Sequence, residues 1–179
     1  MAFNKTQTGV AGGMAVAVGI VAAAFALAYL VPWPHSANHV TLGSRLELAA
    51  LAALAPTISL LFCIARLAKH RFATPQDIQA SALTHGTECA RLLQAMLQNT
   101  LEQTVLAVPL YFAASLLFPP KLLSLVACGA ILFIVGRILF FRGYASGAPA
   151  RAAGFGLTFY PSVALLCLVI AHALLPIAV

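Results

Sequence analysis

The stretch VAGGMAVAVGIVAAAFALAYLV, residues 10–31, contains no charged side chain over its whole length. An α-helix needs about 20 consecutive apolar residues to cross the hydrocarbon core of a bilayer. The apolar region of a cleaved signal peptide is shorter, about 7–15 residues. The stretch therefore predicts a transmembrane helix that is retained in the protein.

Four further apolar runs follow, at residues 46–67, 92–118, 122–141 and 152–177. The runs are continuous rather than alternating, which is typical of membrane helices and not of membrane β-barrels. Apolar residues make up 62% of the chain and charged residues 8%, against about 45–50% and 25% in soluble domains. The sequence predicts an all-α fold, an integral membrane helical bundle with five transmembrane helices.

The Lys and Arg residues are unevenly divided between the two ends of these predicted helices. One end carries eight of them: Lys5, Arg66, Lys69, Arg71, Arg91, Arg137, Arg142 and Arg151. Arg45 and Lys121 lie at the other end. Cytoplasmic loops carry the excess of Lys and Arg in membrane proteins. We therefore expect a multi-pass protein, in a bacterial inner membrane, with a cytoplasmic N-terminus and an external C-terminus.

Membrane topology also accounts for the net charge of +6, because the basic residues sit at helix ends and form no stripe that would bind nucleic acid. The four cysteines lack the paired spacing of a zinc site or a disulfide framework. His35 and His39 have a metal-binding spacing only if they lie on a helix, and Pro32 and Pro34 argue against one. We expect neither a nucleic-acid partner nor a metal.

Two local patterns predict how the helices start and pack. Thr74-Pro75-Gln76-Asp77 has the signature of a helix start, as does Thr87-Glu88 before the third run. In the first run, Gly9 and Gly13 are four residues apart, and Gly12 and Gly19 are seven apart. Small residues at such spacing either allow close helix packing or are incidental to an alanine-rich span.

Polar residues within the apolar runs are the strongest functional signal. Arg91, Gln98 and Glu102 share one face of the third helix, and Asn99 borders that face. On the fourth helix, Arg137 and Tyr144 are seven residues apart. Two interpretations are open. The residues could form buried ion pairs, for example between Glu102 and Arg137. Alternatively, they bind a small and highly charged molecule, since ionisable residues within a membrane mark functional sites by default.

Three motifs resemble those of the MAPEG family, the membrane-associated proteins in eicosanoid and glutathione metabolism. Residues 91–102, ending in Asn99-Thr-Leu-Glu102, resemble the family's R-A-x-x-N-x-x-E signature. Residues 137–144 are similar to its R-x-x-Y-x-x-G-Y motif, and 148–151 to its A-P-x-R. The resemblance covers about residues 46–179 as a four-helix membrane domain. Residues 1–45 would then hold an extra N-terminal transmembrane helix and an external loop.

This resemblance implies a homotrimer that binds glutathione between neighbouring subunits on the cytoplasmic side. Asn99, Glu102, Arg137 and Tyr144 would contact glutathione, and Arg151 would stabilise its thiolate. Arginine suits the carboxylates of glutathione, and a carboxylate such as that of Glu102 suits its ammonium group. A guanidinium at the start of a helix lowers the pKa of a nearby thiol.

The chain departs from the family pattern at three positions. The enzymes' Arg four residues before Asn99 is Ala95 here, and Arg91 one turn earlier is its candidate substitute as a glutathione contact. Phe140 replaces the first Tyr of the second motif, and Val105 replaces a Pro. The favoured function is a membrane-bound glutathione-dependent transferase or peroxidase acting on lipophilic electrophiles or lipid hydroperoxides.

The alternative is a non-catalytic lipid-binding or scaffold membrane protein of the same fold. Ala95 favours this alternative, because the non-enzymatic branch of the family lacks the same Arg, whereas Arg151 with Tyr144 favours the enzyme. In either case, membrane lipids and a hydrophobic small molecule are the expected partners besides the other subunits. A small transporter is less well supported, because no repeat or pair of broken helices is apparent.

Overall fold

The computed structural model describes residues 3–31, 40–79 and 86–174. Five long helices account for most of them: α1 Lys5–Leu30, α2 Leu42–Ala73, α3 Glu88–Leu117, α4 Ser124–Gly143 and α5 Ala148–Leu174. All five are long and apolar enough to cross a membrane. The described residues contain no strand. The predicted all-α fold with five membrane helices is confirmed, and the protein is a multi-pass membrane protein.

Polar caps set where the helices begin. The Asn4 side chain accepts a hydrogen bond from the Gln7 backbone N–H, and the Gln7 side chain accepts one from Asn4 in return. Thr41 caps the start of α2 with the same reciprocal pair of hydrogen bonds. The Thr87 side chain caps α3, as the sequence predicts. These caps satisfy backbone donors that have no partner within the helix. The first three helices therefore begin four or five residues before their apolar runs.

The other end of α3 is capped from α2. Arg45 donates hydrogen bonds from Nη1 to the carbonyl oxygens of Ser115, at 2.7 Å, and Phe118, at 2.8 Å. A cation is favourable at this end of a helix, where the carbonyls and the helix dipole are negative. Arg45 thereby ties the first turn of α2 to the last turn of α3.

Helix α1 packs mainly against α5, and also contacts α4. A Cβ atom added to Gly13 would lie 2.9 Å from Cβ of Ala152, and one added to Gly156 would lie 2.5 Å from Cβ of Ala17. Small residues on both helices thus permit close contact, as in many membrane helix pairs. The close-packing interpretation holds for Gly9 and Gly13, whereas Gly12 and Gly19 face open space.

The segment after α2 corrects one prediction. Residues 75–79 form a turn rather than a helix, and the Asp77 carboxylate serves another purpose. Residues 80–85, which the predicted helix would also include, lie outside the described residues. The Asp77 carboxylate accepts hydrogen bonds from the Thr87 backbone N–H, at 2.8 Å, and from the Thr87 hydroxyl, and it pairs with His70 Nε2 at 2.9 Å. Asp77 therefore fastens the end of α2 to the start of α3. His35, His39 and the loop around them lie outside the described residues.

Candidate functional site

A pocket of about 320 Å³ lies where α4 ends and α5 begins. Four helices contribute to its wall. Its lining residues are Val10, Met14, Asn99, Phe140, Tyr144, Ala148, Arg151, Ala152 and Phe155. Three of the predicted site residues, Asn99, Tyr144 and Arg151, are therefore brought together although they come from three different helices.

Close contact between α4 and α5 fixes the part of the pocket wall that contains Tyr144 and Arg151. Gly147 adopts φ +97°, which lets the chain turn sharply into α5. A side chain at Gly143 would overlap the backbone of Ala150, so the end of α4 lies directly against the first turn of α5. The Arg151 guanidinium carbon consequently lies 4.3 Å from the centre of the Tyr144 ring, a cation–π contact.

Arg137 lies behind the pocket and is only 1% exposed. It donates from Nη1 to Asn99 Oδ1 at 2.9 Å and from Nη2 to Thr158 Oγ1 at 2.7 Å. The Thr158 hydroxyl in turn donates to the carbonyl oxygen of Phe155. The guanidinium also lies 4.3 Å from the centre of the Phe140 ring. A continuous chain of hydrogen bonds thus joins α3, α4 and α5 beneath the pocket.

The ion pair between Glu102 and Arg137, one of the two interpretations of the sequence, does not form. Glu102 is exposed and accepts a hydrogen bond from Gln98 Nε2 at 3.0 Å, one turn earlier on the same helix. Within residues 3–31, 40–79 and 86–174, no carboxylate lies within 4.0 Å of the Arg137 nitrogens. Arg137 reaches α3 from α4 at Asn99, whereas Glu102 is exposed on α3, and helical spacing alone does not reveal this difference.

The structure therefore divides the predicted site residues into three groups. Asn99, Tyr144 and Arg151 line the pocket. Arg137 holds Asn99 but is not among the lining residues. Glu102 and Arg91 are exposed on the outer face of α3, outside the pocket.

The sequence profile of the MAPEG family matches residues 46–171, most of the chain. The chain belongs to the MAPEG family. No curated protein sequence shows significant similarity to it. Family membership supports a membrane protein connected with glutathione or eicosanoid metabolism. The matched region covers nearly all of α2, the whole of α3 and α4, and nearly all of α5, and α1 precedes it as an additional helix.

Sequence reasoning missed several residues of this candidate site. Thr158, like Asn99, accepts a hydrogen bond from Arg137. Phe155 lines the pocket, and its carbonyl oxygen accepts a hydrogen bond from the Thr158 hydroxyl. A hydroxyl within the apolar run 152–177 was the available signal for Thr158. Val10 and Met14 of the additional helix gave no signal, because apolar residues in a membrane span are expected whatever they contact.

The pocket is suited to an anionic ligand. Among the described residues that line it, Arg151 is the one charged residue and none carries a carboxylate. Arg137 can only donate hydrogen bonds, so the Asn99 oxygen must face it. The amide N–H groups of Asn99 remain as donors for a ligand, together with the Tyr144 hydroxyl.

Proposed function

We propose that this MAPEG protein is a glutathione-dependent transferase or peroxidase acting on lipophilic electrophiles or lipid hydroperoxides. One observation carries the proposal: the Arg151 guanidinium lines the pocket from the first turn of α5, beside Tyr144. The positive end of the helix dipole and the guanidinium charge act together at this point. Both favour a thiolate over a thiol, and the thiolate is the nucleophilic form.

The remaining residues would hold the tripeptide. Asn99 offers amide donors from a fixed orientation, and Arg137 acts through Asn99 as a positioning residue. Glu102 follows Asn99 by three positions, almost one helical turn, so a ligand that leaves the pocket along α3 would meet its carboxylate. We assign Glu102 to the ammonium group of glutathione and the exposed Arg91 to one of its carboxylates.

A homotrimer is part of this proposal, because no described part of the chain covers the outer face of α3. The residues exposed along that face are Arg91, Ala95, Gln98, Glu102, Val105, Pro109, Phe112 and Leu116. They alternate in steps of four and three, the spacing at which helices pack side by side in a left-handed coil. An exposed Glu on a membrane helix is costly unless another protein surface covers it. Other copies of the same face would provide that cover.

The test compares wild type with Arg151→Ala and Arg151→Lys in detergent or nanodiscs. Wild type should bind glutathione by calorimetry and show thiolate absorbance near neutral pH. Arg151→Ala should lose about 10²–10³ in turnover of an aromatic electrophile, the usual cost of removing one preorganised stabilising group. It should keep most glutathione binding, because the interaction matters mainly to the reactive state. Arg151→Lys should retain part of the thiolate signal.

Wild-type protein that binds no millimolar glutathione and gives no thiolate signal would exclude the enzyme. The second candidate function, a non-catalytic lipid-binding or scaffold protein, would then replace it. Ala95 favours that candidate, because this exposed position lacks the arginine of the family's enzymes. In that case the pocket should bind an anionic amphiphile such as a fatty acid, and Arg151→Ala should abolish that binding.

A further inference from the structure

The additional helix α1 supplies part of the pocket wall. Val10 and Met14, one helical turn apart, line the pocket from α1, and Ala152 and Phe155 line it from α5. These four apolar side chains complement the polar group of Asn99, Tyr144 and Arg151. We propose that α1 forms the binding surface for the lipophilic co-substrate, with Val10 and Met14 as specificity-determining residues. This inference rests on the proposed glutathione chemistry.

Close packing fixes the position of these two side chains. Gly9 precedes Val10, and a Cβ at Gly9 would meet Pro149 at 3.0 Å. Gly13 precedes Met14, and its missing side chain allows contact with Ala152. Ala17, one turn further along, is fully buried against Gly156. Val10 and Met14 therefore stand on a helix held at van der Waals distance from the helix that carries Arg151.

The far end of α1 is fixed as well. Lys121 Nζ lies 4.2 Å from the centre of the Tyr29 ring, which joins the end of α1 to the start of α4. Val21 packs in a buried cluster with Leu132 and Leu157. These contacts and the close packing at Gly9 and Gly13 place α1 against both α4 and α5.

The pocket lining has a polar part and an apolar part, which suit the thiolate and the lipophilic electrophile of a conjugation reaction. In a conjugation, the thiolate sulfur forms a bond to an electrophilic carbon while the bond from that carbon to a halide breaks, and the halide leaves with the electron pair. The carbon must lie beside the sulfur, and hence beside Arg151, with its apolar substituent against neighbouring apolar residues. The pocket of about 320 Å³ must hold the reacting thiolate group as well as the apolar substituent. The substituent should therefore be an aromatic ring or a short alkyl chain. Met14 can adapt to its shape.

The experiment measures kcat/KM for nitro-activated aryl chlorides with progressively longer alkyl chains at saturating glutathione. Val10→Ala and Met14→Ala enlarge the pocket and should shift the preference toward longer chains by about tenfold, the usual effect of a methylene or two in an apolar site. Glutathione affinity should stay unchanged. Val16→Ala is the matched control, because Val16 is exposed on the same helix and absent from the lining. Met14→Leu, of similar volume, should keep the wild-type preference.

Failure of this inference is separable from failure of the proposed function. The same variants are titrated, without glutathione, with nitroaryl analogues that lack the chloride. If the chain-length preference for binding changes in Val10→Ala and Met14→Ala but not in Val16→Ala, α1 forms the apolar site even if glutathione does not bind. The inference is overturned if the preference is the same in every variant, or if wild type binds none of the analogues.

Discussion

At the level of single residues, Arg137 shows how the bundle accommodates a charge. Its guanidinium is buried and bonded to two neutral side chains, those of Asn99 and Thr158. Removing one partner of a buried charge is strongly destabilising, because the charge remains without compensation. The ring of Phe140 contributes a further favourable contact, at the position where the family motif has Tyr. Arg137 therefore joins three helices and orients Asn99 toward the pocket.

The Asp77 carboxyl group makes the stability of the folded protein depend on pH. Hydrogen bonds from the Thr87 hydroxyl and backbone N–H, and then the contact with His70, lower the pKa of the Asp77 carboxyl below its ordinary 3.8. The folded state thus binds this proton less readily than the unfolded state. The resulting stabilisation is complete above the ordinary pKa and is lost as the pH falls through the lowered value.

Asp77→Asn should accordingly unfold at a lower temperature than wild type at neutral pH. The difference should persist down to about pH 4, near the ordinary carboxyl pKa, and disappear in stronger acid. Glu88→Gln, which removes an exposed acid next to Thr87, is the control and should show a much smaller difference. A difference between Asp77→Asn and wild type that is unchanged at pH 2 would contradict this account.

The sequence predicted part of the site, and the limit of that prediction is physical. Helical spacing determines which residues share a face, so it correctly predicted that Asn99 lies near Glu102, and the A-P-x-R pattern correctly predicted Arg151 in the first turn of the last helix. It does not determine which faces of different helices meet. The supposed pair of Glu102 with Arg137 therefore proved wrong, and Thr158, the actual partner of Arg137 with Asn99, was missed.

At the level of elements, hydropathy predicted all five helices because each must bury its backbone polar groups within itself in lipid. The helix ends were less well predicted. Polar caps such as Asn4 and Thr41 lie beyond the apolar runs, and Pro56, Pro109 and Pro161 are all contained within helices. The position of α1 against α5 required the structure, because a uniformly apolar helix does not reveal which side packs.

Two neighbouring glycines on α1 test that packing. Gly13→Leu should lower the free energy of unfolding by about 1–3 kcal/mol, the usual cost of overpacking, because its Cβ would press on Ala152. Gly12→Leu should be neutral or slightly stabilising, because it meets nothing within 4 Å and removes a poor helix former. Thermal unfolding in one detergent measures both. Equal destabilisation by the two variants would mean that α1 does not pack as described.

At the level of the whole molecule, the distribution of charge predicts the orientation in the membrane. The basic loops lie at one end of the bundle, and Arg45 and Lys121 lie at the other. Gly43 and Ser146, exposed at opposite ends, provide labelling sites. In a background without the four native cysteines, Gly43→Cys should react with an impermeant thiol reagent on intact cells, and Ser146→Cys should react only after lysis. The reverse pattern would invert the proposed orientation.

The proposed homotrimer is the other property of the whole molecule, and in that proposal the subunits meet through the outer face of α3. Val105, 62% exposed, lies in the middle of that face, next to Glu102. If three copies of α3 meet there, Val105→Trp should prevent their close approach, since a bulky side chain at a packed contact costs about 1–3 kcal/mol per copy. Ile131→Trp is the matched control, because Ile131 is 57% exposed on α4 and would face lipid.

Native mass spectrometry from mild detergent distinguishes the two variants. Wild type and Ile131→Trp should give a threefold species, and Val105→Trp should give mainly monomer. Glutathione binding should fall together with assembly in Val105→Trp, because Glu102 and Arg91 lie on the same face and would hold the ligand only where a neighbouring subunit covers them. If the Val105→Trp variant still forms a trimer, the subunits do not contact one another through the outer face of α3. Monomeric wild type that binds glutathione would mean that the pocket formed by α1, α3, α4 and α5 of a single chain suffices for binding.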